Sequence, residues 1–189
     1  MKKSELREHI VKVASDLFYV NGYNTTGINE IISKSGIAKA TLYSHFTSKD
    51  ELCIAYLKHK NSEFMQGLDT FLTTKKDAKE QLLSIFDYLR ELYYQEGFNG
   101  CWGINCLAEI NRENIKIREE IQTQKSDLIA YLAKNINIHY PLNSIAETDR
   151  IASGIYLLYE SAICESHLHK NDWPIFSCKR IAKELLPKT

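Results

Sequence analysis

Residues 39–49 carry several side chains that can donate hydrogen bonds: Lys39, Thr41, Tyr43, His45 and Lys49. Amines and hydroxyls of this kind bind phosphate oxygens and the edges of bases. Ala40 and Ser44 lie between them and are short enough to let a helix come close to a major groove. The chemistry that this segment favours is binding of double-stranded DNA, and no covalent reaction is needed for it.

Two short predicted helices hold these residues, over 28–35 and 39–46, joined by the glycine turn Ser35-Gly36-Ile37. That pattern is typical of a helix-turn-helix. The residues predicted to pack the pair onto a preceding helix are apolar: Ile28, Ile31, Ile37, Leu42 and Phe46. The free N–H groups at the start of the next helix, together with Lys49, predict a further phosphate site.

Other readings of the same residues stay open at this point. Tyr43 and Phe46 can both belong to a core, Lys39 can be an ordinary solvated lysine, and His45 can cap the end of its helix. The whole segment can also be a helical hairpin that binds no DNA.

The stretch from Gly22 to Leu52 closely resembles the DNA-binding domain of the TetR family of transcription regulators. The residues that carry the resemblance are Gly22-Tyr23, Thr26, Ile28, Ile31, Gly36-Ile37, the run from Thr41 to Phe46, and the run from Ser48 to Leu52. Two residues depart from the family pattern. Ala38 replaces a common serine or threonine, and Ile32 replaces a small alanine.

The resemblance implies a role for each matching polar residue. Thr26 and the N-terminus of the second helix would contact backbone phosphate. Lys39, Thr41 and Tyr43 would meet bases or phosphates in the major groove, and His45 and Lys49 would hold phosphates on the flank.

The rest of the chain predicts an all-α protein, because only three prolines and eight glycines interrupt apolar residues at helical spacing. We expect about nine helices, over residues 4–20, 28–35, 39–46, 48–72, 77 onward, 101–110, 113–136, 144–167 and 172 onward. The predicted domains are a helix-turn-helix head over 1–50 and a ligand-binding and dimerisation body over 51–189. The helix over about 48–72 links them. The predicted N-caps are Ser48 for this helix, Asp77 for the helix from residue 77 onward and Ser144 for the helix over 144–167.

Aromatic residues are frequent in the body, and a mostly apolar cavity with a few polar anchors is typical of small-molecule sites. The candidate effector residues are Phe86, Tyr93, Trp102, Asn105, Cys106, Tyr156 and Glu160. The alternative is that these side chains fill an ordinary core.

The predicted helix over 144–167 is apolar around much of its circumference, which is typical of a helix buried on two sides. Candidate dimerisation residues on it and on the last helix are Ile151, Ile155, Leu158, Ala162, Ile181 and Leu185. The family resemblance implies a four-helix interface between two copies. The alternative is that the two helices only cover the core of one copy.

Composition limits the other classes. The formal net charge is zero, with a net of +2 over residues 1–50 and −2 over the remainder. No apolar run is long enough for a membrane helix, and the charged N-terminus is unlike a secretory signal, so we expect a cytoplasmic protein with no membrane partner. The sequence predicts no cofactor, no metal site and no catalytic residues.

The sequence therefore predicts a homodimeric, ligand-responsive regulator, a repressor released from a palindromic operator by a small molecule. A redox- or electrophile-sensing regulator acting through Cys101 or Cys106 is the alternative, because a helix N-terminus lowers the pKa of a thiol. An enzyme is a remote third reading.

Overall fold

The computed structural model describes residues 2–75, 77–140 and 144–187. The described residues form nine α-helices and no strand. The helices are α1 (Lys3–Asn21), α2 (Ile28–Ser35), α3 (Lys39–His45), α4 (Lys49–Thr73), α5 (Ala78–Tyr93), α6 (Trp102–Glu109), α7 (Ile115–His139), α8 (Ile145–His169) and α9 (Trp173–Leu185). The predicted all-α class is confirmed. Of the loop predicted at residues 139–143, between the seventh and eighth helices, residues 141–143 lie outside the described residues.

Local chemistry sets several of these boundaries. Gly36 ends α2 with a φ of 67°, a left-handed conformation that glycine adopts without strain. The N–H of Ile37 then bonds to the carbonyl of Ile32 at 3.3 Å, so the turn between the two short helices is tight. The hydroxyl of Ser48 accepts the N–H of Glu51 at 3.1 Å and caps α4. Asp77 caps α5 in the same way through the N–H of Glu80.

The predicted capping box at the start of α8 is wrong. Ser144 precedes α8, but its side chain makes no capping hydrogen bond. Glu147 bonds to Arg150, one turn ahead, through both carboxylate oxygens at 2.9 and 2.7 Å. The ion pair along the helix competes for the carboxylate that the box would have required.

The chain divides into two compact units. Unit 1 comprises residues 1–64 and 102–123, and unit 2 comprises residues 65–101 and 124–189. This division does not coincide with the predicted boundary at residue 50. The first part of α4, all of α6 and the start of α7 belong to the same unit as the helix-turn-helix.

Unit 1 has its own apolar core. Fully buried side chains from each of the first four helices meet there: Ile10, Ala14, Ile31, Leu42, Phe46, Leu52 and Leu57. Cys106 and Ile110, from α6 and the residue after it, belong to the same cluster. This core orients α3 with respect to α1 and α2, because the buried faces of all three helices contribute to it.

Unit 2 is built around α8. It packs along α9, and α5 packs against both. Gly154 allows the close approach of α9, since a Cβ at that position would lie 2.7 Å from Cδ1 of Leu185. Lys179 of α9 contacts both carboxylate oxygens of Asp87 of α5 at 2.6 Å, which adds an ion pair at the edge of this packing.

Candidate functional site

The helix α3 has one buried face and one exposed face. Leu42 and Phe46 are completely buried in the core of unit 1. Lys39 and Ser44 are exposed, and Tyr43 keeps 45% of its surface accessible. The possibility that Tyr43 belongs to the core is therefore excluded, while Phe46 is a core residue. The face that the sequence predicted to be polar is the one that solvent reaches.

Thr41 and His45 lie at the margin of this exposed face, and both are half-buried. The carbonyl of Thr41 accepts a hydrogen bond from the hydroxyl of Ser44 at 2.7 Å. The ring of His45 lies beside that of Phe46, with 6.4 Å between their centroids. Ala38 is the N-cap of α3 and offers no side-chain cap, as its departure from the family pattern predicts.

Lys49 lies in the first turn of α4, next to α3. Its ammonium group is 4.4 Å from the centroid of the Tyr23 ring and 3.4 Å from the carbonyl oxygen of Asn24. Partial burial lowers the pKa of Lys49. The ring and the carbonyl hold the positive charge at one place on the surface, close to the N-terminus of α4.

Thr26 is not available as a phosphate ligand through its side chain, so that prediction needs correction. Its relative exposure is 0%. Its hydroxyl donates to the carbonyl of Leu17 at 3.1 Å, and its N–H bonds to the carbonyl of Gly22. Both polar groups fasten the loop between α1 and α2, because a buried hydroxyl requires an internal partner.

Two contacts fasten the same loop and the start of α4 to residues far along the chain. Glu109, the last residue of α6, accepts the N–H of Asn24 at 2.7 Å. Asp50 accepts hydrogen bonds from the hydroxyl of Tyr23 and, at 2.7 Å, from the amide of Asn114. The contacts with Glu109 and Asn114 could not be predicted from the sequence, since partners separated by 64 to 85 positions leave no periodic signal.

Four of the predicted effector residues lie in unit 2. Phe86 is completely buried and packs edge-on against Tyr159. Tyr93 contacts the ring of Phe98 at a centroid distance of 5.4 Å. Tyr156 and Glu160 are half-buried on neighbouring turns of α8.

Glu160 is paired with a lysine that the sequence analysis did not single out. Lys125 Nζ is 2.6 Å from Glu160 Oε1 and 3.2 Å from Cys101 Sγ. Burial alone would lower the pKa of Lys125, but Cys101 and Glu160 outweigh it and raise that pKa. The neighbouring Tyr156 also has a raised pKa, first because of burial and then because of Glu160.

The other three predicted effector residues, Trp102, Asn105 and Cys106, are on α6 in unit 1. The ring of Trp102 packs against that of Phe64 at a centroid distance of 5.6 Å. Asn105 is half-buried, and Cys106 is buried with its sulfur 3.4 Å from that of Cys53. The predicted effector residues thus fall into two groups, one in each unit.

Three of the predicted dimerisation residues, Ile151, Ile155 and Ala162, have no exposed surface. They lie on the face of α8 that is packed inside unit 2, so the prediction is corrected for them. Leu158 and Leu185 are half-buried, and Ile181 is 51% exposed. The solvent-facing stripe of α8 is a different one: Leu157, Ser161, Cys164 and Leu168.

Two further observations concern metals and membranes. Within residues 2–75, 77–140 and 144–187, no three histidine, cysteine or acidic side chains converge on a point where a metal ion would bind. No helix in those ranges has the length and apolar character needed to cross a membrane.

Comparison with known proteins agrees with this geometry. Residues 10–56, from α1 to the start of α4, match the family described as bacterial regulatory proteins, tetR family. The HTH-type transcriptional activator FasR of Mycolicibacterium smegmatis is 31% identical over 93 residues, which are 47% of this chain and 42% of that protein. The fatty acid metabolism regulator protein of Bacillus subtilis is 26% identical over 117 residues, 59% of this chain and 56% of that one.

The matched segments span about half the length of these curated relatives. A solved structure of SCO4454, a TetR-family transcriptional regulator from Streptomyces coelicolor, superimposes with a TM-score of 0.85 at 19% identity. That superposition covers 98% of this chain and 90% of SCO4454 and shows the shared fold. None of these three proteins is named as an enzyme. Residues 10–56 thus carry the helix-turn-helix of the TetR family of bacterial regulatory proteins, and the chain shares the all-helical fold of the TetR-family regulator SCO4454.

Proposed function

We propose that the protein is a homodimeric regulator that binds a palindromic DNA operator through α3 and releases it when a small molecule binds, acting as a repressor in the cytoplasm. The observation that carries the proposal is the arrangement of α3. Leu42 on α3 and Phe46, which follows its last residue, are buried, while Lys39, Tyr43 and Ser44 face solvent. A helix that is packed on the core through its apolar face and exposes its polar face can lie in a major groove.

The charges around α3 support DNA over other polar partners. Lys49 lies at the N-terminus of α4, where free N–H groups and the helix dipole favour an anion. Lys34 and Lys39, at the end of α2 and the start of α3, are exposed. Phosphates spaced along a duplex can be contacted from several such points at once, and the groove contact then sets the register.

The test is titration of the protein into fluorescent duplex DNA that spans the region upstream of its own gene. We expect Lys39→Ala to weaken binding by about tenfold and to reduce the slope of log affinity against log salt by about one, as for a lost phosphate contact. Lys12→Ala is the matched control, because Lys12 is an exposed lysine of the same unit on α1. Equal effects of the two variants, or no binding at low salt, would contradict the proposed role of α3.

Dimerisation is proposed on the solvent-facing stripe of α8, joined by Ile181 of α9. Leu157 and Leu168 keep 64% and 71% of their surfaces exposed, and they lie three turns apart on one side of the helix. Major-groove readers of this class bind two half-sites through a two-fold dimer. Burial of large apolar residues such as these stabilises a dimer, since each removes hydrocarbon surface from water.

Sedimentation velocity tests this surface. Leu157→Glu places a charge in the proposed interface and should shift the protein towards monomer. Ile138→Glu is the matched control, because Ile138 of α7 is 63% exposed and lies outside the stripe. If Ile138→Glu dissociates the protein and Leu157→Glu does not, the interface lies elsewhere.

For the effector, the proposal places the polar anchor at Lys125 and Glu160, beside Tyr156 in unit 2. These charges are largely removed from water, with side-chain exposures of 20% and 15%. An effector releases DNA only to the extent that it binds the DNA-free conformation more tightly than the DNA-bound one. A compound that releases DNA from the wild type should do so at a higher concentration with Glu160→Gln, and unchanged sensitivity would exclude this anchor.

A further inference from the structure

Two cysteines from distant parts of the sequence meet in the core of unit 1. The sulfur atoms of Cys53 on α4 and Cys106 on α6 are 3.4 Å apart, and one thiol donates a hydrogen bond to the other. Both residues are free thiols, with relative exposures of 0% and 4%. A disulfide needs about 2.05 Å between the sulfurs, so only a small approach separates the thiol pair from the oxidised form.

The surroundings of the pair restrict which reagent can reach it. Both cysteines belong to the hydrophobic core cluster of unit 1, which also contains Tyr56 and Ile110. The hydrogen bond from Cys106 and burial both raise the pKa of the Cys53 thiol. A small uncharged oxidant enters such a site more readily than an ion or a bulky disulfide, because a charge would have to leave water.

The other three cysteines belong to unit 2 and have different environments. Cys164 is exposed on α8, Cys178 is buried on α9, and Cys101 lies 3.2 Å from the ammonium group of Lys125. Cys101 and Cys106 are the redox residues that the sequence predicts under the alternative function. The structure gives Cys106 a partner thiol that the sequence did not reveal.

We propose that Cys53 and Cys106 are a dithiol site that hydroperoxides oxidise to a disulfide joining α4 to α6. The thiol sulfur of Cys106, the less completely buried of the two, attacks the terminal peroxide oxygen. The O–O bond breaks, the other peroxide oxygen takes the thiol proton and leaves as an alcohol or water, and Cys106 becomes a sulfenic acid. The thiol of Cys53 then attacks that sulfur, the S–O bond breaks, and the sulfenic hydroxyl leaves as water with the proton of Cys53.

The proposal rests on the proposed function for its biological consequence. Cys53 lies one turn after Asp50, which bonds to Tyr23 of the helix-turn-helix and to Asn114. Cys106 lies one turn before Glu109, which bonds to Asn24. A covalent bond between α4 and α6 therefore acts on the two elements that hold the loop between α1 and α2, and it should alter the DNA affinity of the head.

The first experiment counts thiols in the full-length protein after treatment with hydrogen peroxide, quenching and denaturation. The wild type should fall from five thiols to three, regain all five with dithiothreitol, and yield a peptide containing both Cys53 and Cys106. Cys178→Ser should still lose two thiols, whereas Cys53→Ser should form no intramolecular disulfide and should retain an oxidised Cys106. Five remaining thiols in the wild type, or a disulfide involving Cys101, Cys164 or Cys178 instead, would overturn the proposal.

The second experiment measures DNA affinity of the reduced and oxidised protein. We expect a change of about fivefold or more in the wild type and in Cys178→Ser, reversed by dithiothreitol, and none in Cys53→Ser. If the reduced protein fails to bind DNA, the proposed function fails while the thiol count still decides the disulfide. If the disulfide forms and the affinity stays constant, the dithiol is not a switch and the regulator role stands.

Discussion

Asn24 and Glu109 are joined by two hydrogen bonds across 85 positions of the sequence, and Asn24 is the donor in both. The carboxylate of Glu109 accepts the N–H of Asn24 at 2.7 Å, and the side-chain amide of Asn24 donates to the carbonyl of Glu109 at 2.8 Å. Gly22 lies so close that a Cβ there would be 2.3 Å from Oε1 of Glu109. The last residue of α6 therefore holds the loop that leads into the helix-turn-helix.

Removing this carboxylate should loosen the loop. We expect Glu109→Ala to lower the free energy of unfolding by about 1 kcal/mol, since a backbone N–H loses an ionised acceptor at an exposed site. Chemical denaturation followed by circular dichroism measures the change. Glu113→Ala is the control, an exposed glutamate on the segment between α6 and α7. A loss of the same size in Glu113→Ala would show that charge, and not the contact with Asn24, is responsible.

Substitutions at Tyr43 and Phe46 should separate DNA binding from stability, because Tyr43 is exposed on α3 and Phe46, the residue that follows α3, is buried in the core. Tyr43→Ala should keep the fold and weaken DNA binding by about tenfold, as for one lost groove contact. Phe46→Ala should destabilise the protein by about 3 to 5 kcal/mol, since it opens a cavity in a fully buried site. The two variants are compared by thermal unfolding and by DNA titration at a temperature where both are folded. A stable Phe46→Ala protein would contradict the buried position of this side chain.

The helix-turn-helix was predictable because its information is local. Helix boundaries at 28–35 and 39 agree with the structure, and the φ of 67° at Gly36 is the reason that a glycine marks the turn. The exposed positions of Lys39 and Tyr43 follow from the 3.6-residue period once Leu42 and Phe46 are buried. Thr26 was misplaced because a family motif does not distinguish a hydroxyl that binds phosphate from one that binds Leu17.

The body was harder to predict for a physical reason. Ile151, Ile155 and Ala162 form an apolar stripe on α8, and apolar residues also belong to the stripe of Leu157 and Leu168. Composition cannot decide which stripe faces the core of the same chain, because burial of either stripe removes apolar surface from water. The pairs Cys53–Cys106 and Lys125–Glu160 could not be predicted either, because tertiary packing brings the partners together and spacing along a helix does not.

Tyr131 should remain protonated at a pH where exposed tyrosines ionise. Burial, and then a hydrogen bond from its hydroxyl to Asp69 at 3.0 Å, raise the pKa of Tyr131 to about 12. The unfolded chain releases this proton near pH 10, so between about pH 10 and 12 the folded state binds more protons than the unfolded state. Below pH 10 both states are protonated and the group does not make stability depend on pH.

The free energy of unfolding should therefore fall as pH rises through this window, and Tyr131→Phe should make the fall less steep. Spectrophotometric titration of tyrosinate absorbance in the wild type and the variant isolates the contribution of this residue. Tyr43→Phe is the control, because it removes an exposed tyrosine. A difference spectrum for Tyr131 with a midpoint near pH 10 would be incompatible with the burial and the bond to Asp69.

Replacing only Lys125 should lower the free energy of unfolding more than replacing Lys125 and Glu160 together. Removing only the lysine leaves a largely buried carboxylate without its cation, so we expect Lys125→Met to destabilise the protein by about 3 kcal/mol. The double variant Lys125→Met with Glu160→Leu should recover most of that loss, because two apolar side chains need no partner in the same space. Thermal unfolding of both single variants and the double variant gives the coupling between the residues. Additive losses would mean that the 2.6 Å contact contributes little, and the proposed effector anchor would then lose its structural basis.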